Sequence, residues 1–221
     1  MTRLAVFDLD STLTRRGTWG RFVATFLKGR PVCAVKTLLA AGAMQWRYKR
    51  GLVPRMAVKT AMMQSSITGL PREAMEKTAD AFVAADLDTG MNRRVIEALC
   101  KHRERGDRVL IASAGVDMLV ERYAAALEAC GNVCTEFDWT DDDRLSDCFG
   151  SENCYGEEKL AQVKAWRAKH APDSDFVVAY SDSRCDAPLL EWADKAIVIA
   201  PNRKTRRYAE QNRFEIWDDV E

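Results

Sequence analysis

The 221-residue sequence carries no net charge, has only two histidines, contains no C-x-x-C pair, and places not one Asp or Glu between Ser11 and Arg72. Each absence excludes something. Zero net charge removes any global pull toward nucleic acid. The basic run Arg203-Lys204-Thr205-Arg206-Arg207 then reads as a charged outer helix face. The seven cysteines (33, 100, 130, 134, 148, 154 and 185) are odd in number and scattered. They are read as reduced thiols of a cytoplasmic protein rather than as a disulfide framework. Cys130 and Cys134 flank Gly131-Asn132-Val133, but the further ligands of a zinc site are missing. Asp141-Asp142-Asp143 lacks the spacing and glycine of a calcium loop and reads as a solvated turn, within a hairpin or excursion over 140–147. The apolar stretch from Val32 to Trp46 contains Lys36 and falls short of the roughly 18 residues that span a bilayer. Met1-Thr2-Arg3 runs straight into an apolar segment, so no export signal is read there. There are no internal repeats.

What is present begins with Val6-Phe7-Asp8-Leu9-Asp10-Ser11-Thr12-Leu13-Thr14. Leu4 to Leu9 has the make-up of a buried strand bounded by a Ser/Thr-rich turn. Asp8 and Asp10 therefore fall at a strand's carboxyl end, where open α/β sheets bind ligands. Two carboxylates this close repel unless a cation or a shared proton compensates. Mg²⁺ suits such a site because it takes one or two carboxylates and keeps several waters. One aspartate can then act as nucleophile and the other as general acid/base.

Three later segments add to this. Arg108 to Gly115 is a second apolar strand, with a helix expected from Val116. Ser113, with the backbone N–H groups of Ala114 and Gly115, is either an anion cradle or an ordinary N-cap turn. Lys159 lies near the start of a helix predicted over 157–169. Phe176 to Asp182 is a third strand, followed by Asp186. Asp182 would complete a metal site, and Asp186 would orient it from one turn away.

In order, Asp8-x-Asp10-Ser11-Thr12, Ser113, Lys159 and Asp182-Ser183-x-x-Asp186 resemble the four motifs of the haloacid dehalogenase superfamily. The branch most similar is the phosphoserine-phosphatase-like one, with a helical cap inserted between the first two motifs. One departure is Ser181, where the family often has Gly. The resemblance implies a Mg²⁺-dependent phosphomonoester hydrolase. Asp8 would carry an aspartyl-phosphate and Asp10 would be general acid/base. Asp8, Asp10 (through its backbone carbonyl) and Asp182 would hold the metal. Ser113 and Lys159 would hold phosphoryl oxygens, with Thr12, Ala114 and Gly115 also contacting substrate.

Amphipathic helix is predicted over 91–104, helix over 117–129 and 203–212, and strand over 133–137 and 196–199. Alternating β and α predicts an α/β fold: a doubly wound parallel sheet, Rossmann-like, with an inserted α-helical cap. The expected division is a core of 1–14 with 89–221 and a cap of 15–88, broken near Gly29-Arg30-Pro31, 51–54 and Gly69-Leu70-Pro71. The stretch from Ser11 to Arg72 carries twelve Lys or Arg, so the rest of the chain carries minus twelve. An ammonium-bearing substrate, such as phosphoserine or histidinol phosphate, finds no counter-charge in Arg15-Arg16-Gly17-Thr18-Trp19-Gly20, unless Trp19, Trp46 or Tyr48 receives it. The basic stretch is read in three ways: a solvated surface that steers phosphates, a site for a small ester with a further anionic group, or a peripheral contact with lipid headgroups such as phosphatidylglycerophosphate. Arg55 and Lys59, one turn apart, are the expected substrate contacts there. A phosphotransferase would use the same aspartates.

Overall fold

A computed structural model describes residues 2–218. The chain divides into two compact units. The core unit comprises Met1–Gly17, Val83–Thr135 and Asn153–Glu221, and the helical unit comprises Thr18–Phe82 and Glu136–Glu152. The expected division into 15–88 and the remainder differs from this at three places: 15–17 and 83–88 fall in the core unit, and 136–152 in the helical unit.

The core unit is built on a six-stranded parallel sheet with strands β1 (Thr2–Phe7), β2 (Arg108–Val116), β3 (Gly131–Thr135), β6 (Ser174–Ser181), β7 (Lys195–Ile199) and β8 (Glu215–Trp217), in the order β3-β2-β1-β6-β7-β8. The central strands are buried on both faces, which is why they read as continuous apolar runs rather than alternating ones. Side chains still alternate in direction along each strand. Leu4 and Val6 join Leu110, Ala112, Val177 and Ala179 against Leu160 and Val163 of α7 (Glu157–His170) and Leu189 and Leu190 of α8 (Ala187–Trp192). On the opposite face Phe7 and Tyr180 stack at 4.2 Å and meet His102 of α5 (Arg93–Glu104). Helix α6 (Asp117–Ala126) follows β2, and α9 (Arg203–Gln211) is capped by the Asn202 side chain. Strand β3 starts two residues earlier than expected and ends before Phe137. β8, only three residues long, was not anticipated.

In the helical unit, α1 (Thr18–Leu27), α2 (Pro31–Lys49), α3 (Met56–Ser66) and the start of α4 (Arg72–Thr89) are joined by turns at the predicted breaks. The hairpin β4 (Phe137–Trp139) and β5 (Leu145–Phe149) is tied to the turn before α4. Gly69 N–H donates to Leu145 O and Leu145 N–H to Leu70 O, both at 2.9 Å, and Arg72 pairs with Asp143 at 2.5 Å. The acidic turn is thus one side of an ion pair rather than merely solvated. It also rebalances the unit, which holds twelve Lys or Arg against ten Asp or Glu.

Candidate active site

β1 stops at Phe7 because, after Asp8, the five residues Leu9–Leu13 form a single wide turn closed by Thr14 N–H on Leu9 O at 2.9 Å. Ser11 takes a left-handed conformation (φ 62°) within it, which few non-glycine residues adopt. The turn is pinned from outside. Asn92 Nδ2 donates to Thr12 O at 2.6 Å and to Thr14 O at 3.3 Å. Asp182 N–H donates to Thr12 Oγ1 at 2.9 Å, and that hydroxyl donates to Asp8 Oδ2 at 3.3 Å. Thr12, expected to contact substrate, is fully buried, its hydroxyl engaged by the Asp8 carboxylate and the Asp182 backbone. Asn92 was not singled out in the sequence. At a helix start it reads as a cap, yet its side chain caps nothing there and braces the Asp8 turn.

Asp8 continues the Leu4–Val6 parity toward the α7 face, where Lys159 waits in the helix's first turn. Lys159 Nζ donates to Asp8 Oδ1 and to Asp186 Oδ2, each at 2.8 Å, and all three side chains are buried. Gly156 starts the helix at φ +60°, a turn that glycine adopts without strain. Asp186 also accepts from Ser181 Oγ at 2.7 Å, and Ser183 N–H donates to the same hydroxyl at 3.1 Å. Asp186 was expected to orient Asp182, but its hydrogen bonds make it the anchor of Lys159. Ser181, the departure from the family pattern, supplies part of that anchor.

Ser113 lies within β2, two residues beyond the pairing of Phe7 with Ile111, and is buried. Gly115 N–H donates to Ser113 Oγ at 2.9 Å. The expected cradle is therefore altered: Gly115 holds the serine oxygen, leaving the hydroxyl hydrogen to donate elsewhere. A Cβ at Gly115 would come within 3.0 Å of Val120 Cγ2 and 3.1 Å of Ser113 Oγ, so a side chain is not accommodated without movement. The N-cap alternative is also corrected, because β2 runs on to Val116 and α6 begins at Asp117. Arg55 and Lys59 lie in the other unit. Arg55 is exposed, whereas Lys59 is buried with its ammonium 4.9 Å from the Phe149 ring centre.

The electrostatics follow from burial. Desolvation drives Asp8 well above the carboxylate range, with Lys159 opposing and Asp186 and Asp182 adding to the rise. Asp182 is pushed up to about 6, by burial first and then by Asp186, with Asp10 contributing. Burial pulls Lys159 down, but Asp186 and Asp8 outweigh it and hold the ammonium above its ordinary range. Carboxylates that raise one another's pKa in this way want a cation beyond the single lysine. Among the described residues no three His, Cys, Asp or Glu side chains gather to hold a metal ion. Asp8 and Asp182, which feel each other's charge, are the carboxylates a metal would meet here, and such oxygen donors would suit Mg²⁺ rather than zinc.

The family model described as haloacid dehalogenase-like hydrolase matches residues 5–191. The chain belongs to that family. This haloacid dehalogenase-like hydrolase is similar to Protein CicA of Caulobacter vibrioides, 26% identical over 192 residues that cover 87% of this chain and 83% of that one. A Bordetella pertussis protein described as of unknown function shares its fold with a TM-score of 0.82, at 21% identity over 99% of both chains. A substrate-bound phosphoserine phosphatase does so with a TM-score of 0.72, at 15% identity over 100% of this chain and 95% of that one. No described helix is long and apolar enough to cross a membrane.

Proposed function

We propose that this hydrolase is a Mg²⁺-dependent phosphatase that cleaves phosphomonoesters through an aspartyl-phosphate on Asp8. The observation that carries this reading is the buried Asp8–Lys159–Asp186 bridge at the carboxyl edge of the sheet. An Asp8 oxygen attacks phosphorus, and the bond to the ester oxygen breaks as Asp10 gives that oxygen a proton. Asp10 then takes a proton from water, whose oxygen attacks phosphorus and frees Asp8. Lys159 offsets the charge on Asp8 and on the phosphoryl oxygens, and Ser113 donates its hydroxyl hydrogen to one of them. Such positioning and charge neutralisation is what phosphoryl transfer requires. Asp8, Asp182 and the Asp10 backbone carbonyl would hold Mg²⁺, whose charge, once bound, neutralises phosphoryl oxygens.

We assign the substrate as a small phosphate ester with a further anionic group, for which Lys59 and Arg55 are the contacts. Lys59, a lysine buried in the helical unit, supports this. The test is phosphate release, with and without Mg²⁺, from phosphoserine, histidinol phosphate, bisphosphate and dicarboxylate esters, and phosphatidylglycerophosphate in detergent. Turnover should need Mg²⁺, favour the extra-anionic esters and vanish in Asp8→Asn. Ordinary turnover by that variant would overturn the nucleophile, and a preference for phosphoserine would overturn the substrate assignment.

A further inference from the structure

Helix α2 is nineteen residues long and buries only Thr37. One side packs on α3, where Cys33 Sγ and Thr37 Oγ1 both donate to Ser65 O at 3.2 Å. On a 3.6-residue helix, Val32, Val35, Leu39, Ala43 and Trp46 fall on the opposite side. Val32, Val35, Leu39 and Trp46 are 53–69% exposed, with Leu38 at 73% and Leu52 at 61% just beyond the helix. These six are all but one of the exposed large hydrophobic residues among those described, and they lie within 21 consecutive positions. Isolated exposed apolar side chains are ordinary, but a contiguous stripe of this kind marks an interaction surface.

The charges beside the stripe identify its occupant. Lys36 and Arg47 border it on one side and Lys49 on the other, and the Arg50 guanidinium lies 3.9 Å from the centre of the Trp46 ring. Not one acid occurs in α2 or its flanking turns. At the amino end, a cavity of about 460 Å³ is lined by Arg30, Pro31, Val32, Cys33, Lys36 and Ser65. That places two cations beside the first apolar residue of the stripe. Stacking two copies of this face would bring lysine and arginine against lysine and arginine with no acid to compensate. A surface of phosphate headgroups over hydrocarbon complements both features together.

We propose that α2 docks the protein on the surface of anionic phospholipid bilayers, lying in the plane of the interface. Val32, Val35, Leu39 and Trp46 enter the boundary between headgroups and acyl chains. Lys36, Arg47, Lys49 and Arg50 meet the headgroup phosphates, and Arg30 with Lys36 receives one in the cavity at the helix start. Trp46 under Arg50 places an amphipathic ring at headgroup depth, where tryptophan is favoured. This assignment stands apart from the catalytic reading, because none of these residues belongs to the site described above.

The test is co-sedimentation of the full chain with vesicles of equal parts phosphatidylglycerol and phosphatidylcholine, against phosphatidylcholine alone, at low and high salt. Binding should be about tenfold or more tighter on the anionic vesicles and weaken with salt. The double variant Leu39→Glu, Trp46→Glu should lose that binding while its melting temperature and its turnover of a soluble ester stay unchanged. Failure of the wild-type chain to sediment with anionic vesicles would overturn the proposal, as would equal binding to both vesicle types or binding retained by the variant. So would a concentration-dependent dimer, seen by sedimentation velocity without lipid, that the same double variant dissolves. That result would give the stripe to a second copy.

Discussion

Replacing Lys159 by Met is the sharpest probe of the site, because it changes charge while nearly conserving volume. The ammonium touches Asp8 and Asp186 at 2.8 Å each, and the lysine side chain is 3% exposed. Removing it leaves two carboxylates buried and uncompensated. Breaking a buried pair in this way costs about 3–5 kcal/mol, a large share of the roughly 5–15 kcal/mol that holds a domain folded. The cost is limited by protonation. Asp8 is already driven upward by burial, and without Lys159 it takes a proton more readily still. Its folded pKa then lies further above the unfolded value, so the variant is least affected at acid pH and loses stability as pH rises. Urea midpoints at acid and neutral pH, without Mg²⁺, should therefore diverge for Lys159→Met more than for the wild type. Adding Asp186→Asn to Lys159→Met removes one orphaned charge and should recover part of the loss, a coupling that a double-mutant cycle reads directly. Turnover should fall about 10²–10³-fold, as for removal of a preorganised electrostatic donor. Identical urea midpoints for Lys159→Met and wild type at neutral pH, or no recovery in the double variant, would refute the bridging role.

Other consequences can be measured as readily. In the metal-free protein the raised pKa of Asp182, from 3.8 to about 6, means that its contribution to stability is present below about pH 4 and lost as pH rises through 6. By size the loss is about 3 kcal/mol. Mg²⁺ needs the ionised carboxylate, so it should raise the melting temperature more near neutral pH than at about pH 5. Equal shifts at both would remove Asp182 from the metal site. Asn92→Ala strips two carbonyls of the Asp8 turn of their donor and should cost about 1–3 kcal/mol in urea unfolding, together with a fall in kcat. An unchanged midpoint would mean that the turn holds its shape unaided. Arg55→Ala should raise KM about tenfold for a bisphosphate ester and much less for a simple monoester. Equal KM values for both variant and wild type would withdraw Arg55 from substrate recognition.

The strand-end aspartates were legible because three apolar runs each stop at an acid or a hydroxyl, and a parallel sheet brings such stops to one edge. What sequence withheld were partners far along the chain. Asn92 sits 80 positions from Thr12 and looks like a helix cap, so no local signal distinguishes the side chain that braces from the one that caps. Phe7, Tyr180, His102 and Asp107 form another such set. The Tyr180 hydroxyl is 2.9 Å from His102 Nε2, and His102 Nδ1 is 2.7 Å from Asp107 Oδ2, all on the sheet face away from Lys159. These residues fix the two positions that immediately precede Asp8 and Ser181, yet in sequence they are a scattered aromatic, histidine and aspartate. Asp186 shows a third kind of gap. Its spacing from Asp182 suggested that one orients the other, while the fold turns its carboxylate to Lys159 and Ser181.

The charge asymmetry is the case where a correct count needed the fold before it meant anything. Twelve cations without an acid from Ser11 to Arg72 imply a strongly basic unit, but the hairpin at 137–149 brings in acids from a distant stretch, and Asp143 takes Arg72. Summed over the helical unit, the excess nearly disappears. The physical consequence of charge depends on distances of a few ångströms to about a Debye length, roughly 8 Å in physiological salt, so a sum over a whole unit is the wrong quantity. What survives the correction is local. The acids come from α4 and from the hairpin segment, and the stripe on α2 keeps cations on both flanks with no acid in its own sequence. The basic character of this protein is therefore a property of one helix face, not of the unit. A reading that depends on it must name that face, as bilayer docking does, or name one buried cation, as Lys59 is named for substrate.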